Sequence, residues 1–448
     1  MLEIDANLIA RHAAPAPRYT SYPTALQFTS KVDSKHYAEW LAALSGEATL
    51  SLYVHIPYCH ELCWYCGCNT KAVQRYGPIG RYLDALEHEV RTVAALASAA
   101  NAVTNIHWGG GSPNVLSAVH IRRLAEQLRA SFRVRGGAEF AVEIDPRTLS
   151  QPQVDAFADA GVNRISLGVQ DFDAAVQTAI NRIQSFDTTR RAVEMFRERA
   201  VASINIDLVY GLPHQTLSTA EHTIDLVLRL QPDRIAAFGY AHLPARLKHQ
   251  RLIDAAALPD ARLRFELAGR IGQRLVEAGY VRIGLDHFAR PDDALACRPV
   301  TRNFQGYTTD QATALIGLGA SAIGRFSDGY VQNATPVGAY MARIAADGLA
   351  VSRGLRLAPD DRMRAFVIEQ LMCGMAFSGT EMKRRFGAAA EPLYREAKAL
   401  VASDRDGLVE PTRDGFRITE RGRPFVRSLC ARFDTYLTAG AAGHAAGV

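Results

Sequence analysis

From residue 51 to about 290 the chain alternates short apolar or β-branched runs with longer stretches of helical period, which confines it to few folds. The runs SLYVHI, AVTNIHW, FAVEID, NRISLGV, INIDLVYG and RIAAFGY read as six buried strands of a mainly parallel sheet. Amphipathic helices separate them, such as PIGRYLDALEHEVRTVAALASA, which opens on Pro and Gly where a loop becomes a helix. Six βα units predict an α/β fold, a (β/α)6 partial barrel over residues 51–290, and a seventh run, YVRIGLDHF, offers an extension of the sheet.

The conspicuous polar residues and glycines all fall at the downstream ends of these runs. A cysteine loop follows the first, GGGSP (109–113) the second, Glu143 and Asp145 lie on the third, and Gln170 follows the fourth. Asp207 and YGLP lie on the fifth and AHLP follows the sixth. In a parallel barrel those ends share one rim, where such folds build active sites, so separate motifs converge on one mouth.

The flanks read differently. Residues 1–50 are expected to form an N-terminal arm and a lead-in helix, with RYTSYPTALQF (18–28) as an extended, aromatic, Pro-containing stretch. Residues 291–354 read as loop and linker, and HFARPDDALACRPVTRNFQGYTTDQA (287–312), which lacks periodicity, as one long functional loop. Residues 355–440 are expected to form a small, mostly helical, winged-helix-like domain, its hairpin LVEPTRDGFRITERG turning at Asp414–Gly415. Its last helix is not strongly basic, so a packing lid fits it better than a DNA reader. An Ala/Gly-rich flexible tail at 441–448 ends the chain.

A hydrophobic content of 48% and a charged content of 22% exclude a disordered chain. The net charge of +5 comes without a block of like charges, which speaks against a nucleic-acid partner and suits an anionic small substrate. No apolar run is long enough to span a membrane, and the N-terminus lacks the pattern of a signal peptide, so a cytoplasmic location is expected. Cys297, Cys373 and Cys430 stand singly and read as small buried side chains of a reducing compartment.

YVHIPYCHELCWYCGCNT (53–70) is different, because it holds four of the seven cysteines. Cys59, Cys63 and Cys66 form C-x3-C-x2-C directly after a strand. Structural zinc takes its ligands in two pairs, and no second pair follows; a disulfide fails on compartment. Thiolates also hold iron–sulfur clusters, and a cubane with three protein ligands keeps one iron open. The glycines of GGGSP allow close backbone approach, and their N–H groups are expected to bind a polar ligand edge.

C-x3-C-x2-C with Tyr65 before its last cysteine resembles the signature of radical S-adenosylmethionine (SAM) enzymes. PRYTSYPTA (17–25), IHWGGGSP, VEIDPR, RISLGVQDF, NRIQ, IDLVYGLP, YAHLP and RNFQGYTT extend the likeness, in order, to the oxygen-independent coproporphyrinogen III oxidase family. The resemblance implies a 4Fe-4S cluster on Cys59, Cys63 and Cys66 and two SAM molecules. Tyr53, Gly110 and Glu143 would contact the first SAM, on the open iron. Tyr65, Gly111, Ser112, Gln170, Arg182, Asp207, Ala241 and Ile323 would surround the second. Tyr53 and Cys68 are the expected catalytic residues, Cys68 as a thiol that is not a ligand, near the reacting centre. The implied reaction converts two propionates of coproporphyrinogen III to vinyl groups through a 5′-deoxyadenosyl radical, giving protoporphyrinogen IX for haem synthesis. An electron-donating redox protein is the implied partner and a monomer the expected state. The arm is expected to close the mouth or simply to pack on the barrel, and Arg18, Arg290, Arg298 and Arg302 are candidates for the substrate's carboxylates.

The chain departs from the family pattern at Ser112 and Asn114, where threonines are expected, and in a shorter loop between Asp293 and Asn303, which bears on substrate handling. Related haem chaperones lack the cysteine at position 68 and the PRYTSYPTA arm, and a haem-degrading radical methyltransferase is disfavoured by Cys68. A zinc-bound nucleic-acid module would need a second ligand pair and a basic helix.

Overall fold

The computed structural model describes residues 6–12, 14–201 and 203–437; the tail expected at 441–448 lies outside the described residues. Six strands form the parallel frame: β1 (Thr49–Ile56), β2 (Ala102–Gly110), β3 (Arg133–Ile144), β4 (Arg164–Gln170), β5 (Ser203–Tyr210) and β6 (Arg234–Gly239). Each pairs in parallel with the next, giving the α/β partial barrel that the βα alternation predicts.

Strand β1 shows why the runs fold this way. Leu50, Leu52, Val54 and Ile56 are fully buried and share one core with Leu83, Leu86 and Val90 of the helix Gly77–Leu96. The alternate residues Ser51, Tyr53 and His55 fall on the opposite face and are polar. Neighbouring strands repeat this in register: Tyr53 pairs with His107, Glu143 with Ser166, and Ser166 with Asn205. One face of the sheet is therefore an apolar seat for helices and the other a polar interior, an arrangement that suits a chemical site better than a packed core.

The sheet is larger than the alternation predicts. It adds β7 (Val281–Ile283), β8 (His287–Ala289), β9 (Ala314–Leu318), β10 (Ile323–Phe326), β11 (Gly329–Asn333) and β12 (Val351–Arg356), in the order β12-β11-β10-β9-β1-β2-β3-β4-β5-β6-β8-β7. The run YVRIGLDHF does extend the sheet, as a hairpin whose β8 lies antiparallel to β6. The expected linker at 291–354 is corrected: β9 lies parallel against β1 on the side away from β2, and β10 to β12 follow antiparallel. The run ALIGL is too short for its periodicity to separate strand from buried helix, so only its partner β1 decides. The segment 287–312 is also more than a loop, holding β8, the turn of helix Ala294–Cys297 and a hairpin pairing Thr301–Asn303 with Gly306–Thr308.

The C-terminal region has the helices Pro359–Gly374, Gly379–Phe386 and Glu391–Ser403 and a three-stranded antiparallel sheet made by Ala376–Ser378, Val409–Pro411 and Gly415–Ile418. Its core includes Leu8, Tyr19 and Tyr22 of the arm. The Tyr19 hydroxyl donates to Asp434 at 3.1 Å, and Arg427 donates to the Pro17 carbonyl at 3.0 Å. The arm thus packs on the C-terminal region, and Arg18 is its one described residue at the cavity described below. Among the described residues no helix is long and apolar enough to cross a membrane.

Glu89 joins the main helix to the added strands. Fully buried, it accepts from the Gly319 N–H at 2.7 Å, Asn333 Nδ2 at 2.6 Å and the Tyr340 hydroxyl at 2.7 Å. Burial pushes its carboxyl up from 4.5 to about 7 despite those three donors. A folded value above the unfolded one means that stability from this group is complete below pH 4.5 and is lost as pH rises through about 7. The loss should reach about 3 kcal/mol. Denaturant melts at pH 5 and pH 8 should show a larger drop for wild type than for Glu89→Gln, and equal drops would refute the assignment.

Candidate active site

The loop that leaves β1 is closed on itself where Tyr58–Cys59 pairs with Lys71–Ala72. Its carbonyls are pinned from several elements: Asn181 Nδ2 donates to Leu62 O at 3.1 Å, Gln250 Nε2 to Tyr65 O at 3.0 Å, and His249 Nε2 lies 2.6 Å from Cys66 O. Cys63 is buried, Cys59 and Cys66 are half-buried and Cys68 is exposed. All four line one cavity of about 600 Å³ at the downstream ends of the strands. Guanidinium nitrogens of Arg147 and Arg182 stand 3.6 and 3.5 Å from the Cys63 sulfur. The Cys68 thiol chiefly, with its backbone N–H, holds the Cys66 thiol down to about 7, against burial. Three soft donors on one short loop, with two guanidiniums at the Cys63 sulfur, fit the cluster that the resemblance implies. Among the described residues no three His, Cys, Asp or Glu side chains converge as a single-ion site would require.

The glycine turn works differently from the expectation. Its N–H groups do not face a ligand: that of Gly110 goes to Glu143 Oε2 at 3.1 Å, that of Gly111 to Ile56 O at 2.8 Å and that of Ser112 to Tyr58 O at 2.8 Å. Gly110 has a φ of +110°, and a Cβ there would meet the His55 ring at 2.5 Å. A Cβ on Gly111 would collide with the Tyr58 carbonyl and the Thr70 hydroxyl. The glycines let the cysteine loop sit directly on the second rim turn.

Glu143 faces the cavity and is held by His107 Nε2 at 3.1 Å as well as by Gly110. Burial would raise its carboxyl, but the histidine and the N–H prevail and hold it below 4.5, so it is an anion. Tyr53 does not line the cavity: its hydroxyl is 3.0 Å from His55 Nδ1 and its ring lies 5.8 Å from that of His107. Its position suits it to orient the two histidines.

On the next strands, Arg182 is 5% exposed and reaches Asp145 through both terminal nitrogens, at 3.4 and 3.3 Å, and the Gly168 carbonyl at 2.6 Å. Arg147 takes the same carboxylate at 2.7 Å. Asp207 accepts from Ser166 Oγ at 2.7 Å and Asn205 Nδ2 at 2.8 Å, while burial pushes its carboxyl up. Tyr65, Gly111, Ser112, Gln170 and Ala241 also line the cavity. Ile323 does not; it opens β10 on the far side of β9 from β1. Among the arginines suggested for substrate, Arg18 lines this cavity, Arg302 is buried beside it, and Arg290 and Arg298 are exposed elsewhere.

Arg147, Ser166, Arg246 and Gln250 line the cavity too and were not singled out by the sequence reading. Arg147, two residues past Asp145, was available from its place on the rim. Ser166 carried a weaker signal, a polar residue at an interior-facing position of a strand. Gln250 lies in a short 3-10 turn, Lys248–Leu252, without periodicity.

Comparison with known proteins agrees with this geometry. The radical SAM superfamily model matches residues 53–227 and the HemN C-terminal domain model residues 357–425. The chain is 47% identical over 436 residues to an oxygen-independent coproporphyrinogen III oxidase of Bradyrhizobium diazoefficiens, covering 96% of this chain and 97% of the relative. It is 43% identical to that of Paracoccus denitrificans, with 97% of each chain covered. The solved structure of the Escherichia coli coproporphyrinogen III oxidase HemN, described as a radical SAM enzyme, superposes with a TM-score of 0.91 at 39% identity, covering 97% of this chain and 99% of that one. With three rim cysteines on a (β/α)6 frame and this identity along almost its whole length, the chain belongs to the oxygen-independent coproporphyrinogen III oxidase family of radical SAM oxidoreductases.

Proposed function

We propose that this protein converts coproporphyrinogen III to protoporphyrinogen IX without dioxygen, by oxidative decarboxylation of two propionates to vinyl groups in haem synthesis. The observation that carries the reading is one cavity of about 600 Å³ that gathers Cys59, Cys63, Cys66 and Cys68 with Glu143, Gln170, Arg182 and Asp207, in a chain so similar to oxidases of that name. Cys59, Cys63 and Cys66 would hold a 4Fe-4S cluster. A bound cluster and SAM would supply a hydrogen-abstracting 5′-deoxyadenosyl radical, with carbon dioxide and one electron leaving the substrate for a one-electron acceptor.

The chain's own residues bind and orient. The ionised Glu143 and Gly110 fit the first SAM, whose ammonium a carboxylate accepts from. Tyr65, Gly111, Ser112, Gln170, Arg182, Asp207 and Ala241 wall the region that a second SAM would occupy. Tyr53, off the cavity wall, is assigned a positioning role through His55 and His107. Cys68, exposed at the mouth, is left for the reacting centre. The reading includes an electron-donating redox protein as partner, a monomer and a cytoplasmic setting.

Anaerobic turnover of reconstituted protein with SAM, a reductant and coproporphyrinogen III is the test. The expected result is 5′-deoxyadenosine together with a porphyrinogen lighter by two carbon dioxide units and four hydrogens. Deoxyadenosine with unchanged porphyrinogen would overturn the substrate and favour the haem-binding reading.

A further inference from the structure

Behind Phe238, Gly239 and Tyr240 lies a second chamber of about 40 Å³ that shares those residues and Arg18 with the main cavity. Arg264, Arg302, Arg427 and Asp286 also line it, and among its described lining residues Asp286 is the only carboxylate. Arg18 donates to the Gly239 carbonyl and Arg264 to the Tyr240 carbonyl, each at 2.9 Å. Neutral carbonyls satisfy N–H groups without cancelling charge. Arg302 is less well served. Its side chain is 5% exposed, its guanidinium lies 4.3 Å over the Tyr307 ring, and its Nε and Nη1 have no hydrogen-bond partner. Asp286 Oδ1 is 3.7 Å from Arg302 Nη1 and is also 2.8 Å from His287 Nδ1.

Arg18, Arg264, Arg302 and Arg427 thus line one space with a single carboxylate, and the charge of Arg302 is buried there, whereas buried charges are ordinarily paired. Burial would raise Asp286, but Arg302, His287 and Arg18 hold it down to about 2, so its single negative charge is already counted. The missing partner is an anion. A space of about 40 Å³ exceeds what one water needs, roughly 10–15 Å³. It has room for a carboxylate head whose parent remains in the main cavity.

We propose that this chamber seats a carboxylate of the tetrapyrrole that is not removed in the reaction, with Arg302 as its principal capturing residue. The inference rests on the substrate reading above. Its geometry has a consequence for specificity: the chamber lies behind β6 and adjoins the cavity that the cysteine loop lines, so a propionate anchored there leaves the rest of the macrocycle in the cavity beside that loop. The chamber would therefore choose which side chain is presented for reaction.

The test uses full-length, cluster-loaded protein titrated anaerobically with coproporphyrin III, the oxidised tetrapyrrole with the same four carboxylates, and with its tetramethyl ester. Arg302→Met should weaken the free acid by roughly 10- to 100-fold, with a shallower salt dependence, and leave the ester unchanged. Arg302→Lys should restore part of the loss, and in turnover KM should rise with little change in kcat. Unchanged affinity for the acid in Arg302→Met would overturn the chamber while product formation by wild type kept the substrate reading. Should Arg302→Met lose its iron, Arg264→Gln takes its place with the same pattern expected, and an unchanged affinity there is equally fatal. Failure of wild type to bind or convert the tetrapyrrole would overturn both readings.

Discussion

Cys63→Ser protein, reconstituted anaerobically, is expected to lose its iron–sulfur absorbance and to form 5′-deoxyadenosine only at background level. Cys63 is the most buried of the loop thiols and has guanidiniums of both Arg147 and Arg182 within reach of its sulfur. Loss of a mere supporting partner of a metal ligand costs 10- to 100-fold, so loss of a ligand should cost more than about 100-fold. Cys68→Ser gives the contrast. Cys68 is exposed, and its backbone N–H, which serine keeps, donates to the Cys66 sulfur at 3.4 Å. That variant should retain iron and deoxyadenosine formation while vinyl product falls at least tenfold, as expected of a residue acting beside the substrate. Iron analysis and product mass spectra separate the two. Full iron in Cys63→Ser would remove it from the ligand set, and full product in Cys68→Ser would reduce that thiol to a bystander.

The parts of this molecule legible in the sequence are those set by local period or by one topological rule. Leu50, Leu52, Val54 and Ile56 announce β1 because alternate residues meet the same helix, and the parallel-barrel rule then brings the cysteine loop, Glu143 and Asp207 to one rim before any distance is known. What escaped depends on partners distant in sequence. Strand β9 is five buried apolar residues whose identity is decided by pairing with β1. The glycine turn reads as a ligand cradle until the Ile56 and Tyr58 carbonyls are seen to take its N–H groups. Arg302 was one of four arginines offered for the substrate's carboxylates, and only the antiparallel placement of β8 against β6 brings Asp286 and the chamber to it. Arg182 entered only through the resemblance, as a contact of the second SAM, and not as half of a clamp.

That clamp carries the other large expected effect. Asp145 accepts from Arg147 and Arg182 together, and the three side chains are 13%, 11% and 6% exposed. At that burial the charges are little screened, and removal of the shared carboxylate leaves two guanidiniums facing each other beside Cys63. Asp145→Ala should cost about 3–5 kcal/mol in unfolding free energy at neutral pH. The pH dependence fixes the cause. Burial would raise the Asp145 carboxyl, but Arg182 and Arg147 hold it below 3.8, so its stabilisation is present above 3.8 and is lost as pH falls through the folded value. The gap between wild type and Asp145→Ala should therefore be constant from pH 8 to pH 5 and narrow below pH 4, the opposite sign to Glu89. A second variant, Asp145→Ala combined with Arg147→Ala, should recover part of the loss, because one of the two opposed cations is gone. A gap under about 1 kcal/mol that ignores pH would mean that the arginines find other partners and that Asp145 does not organise this wall.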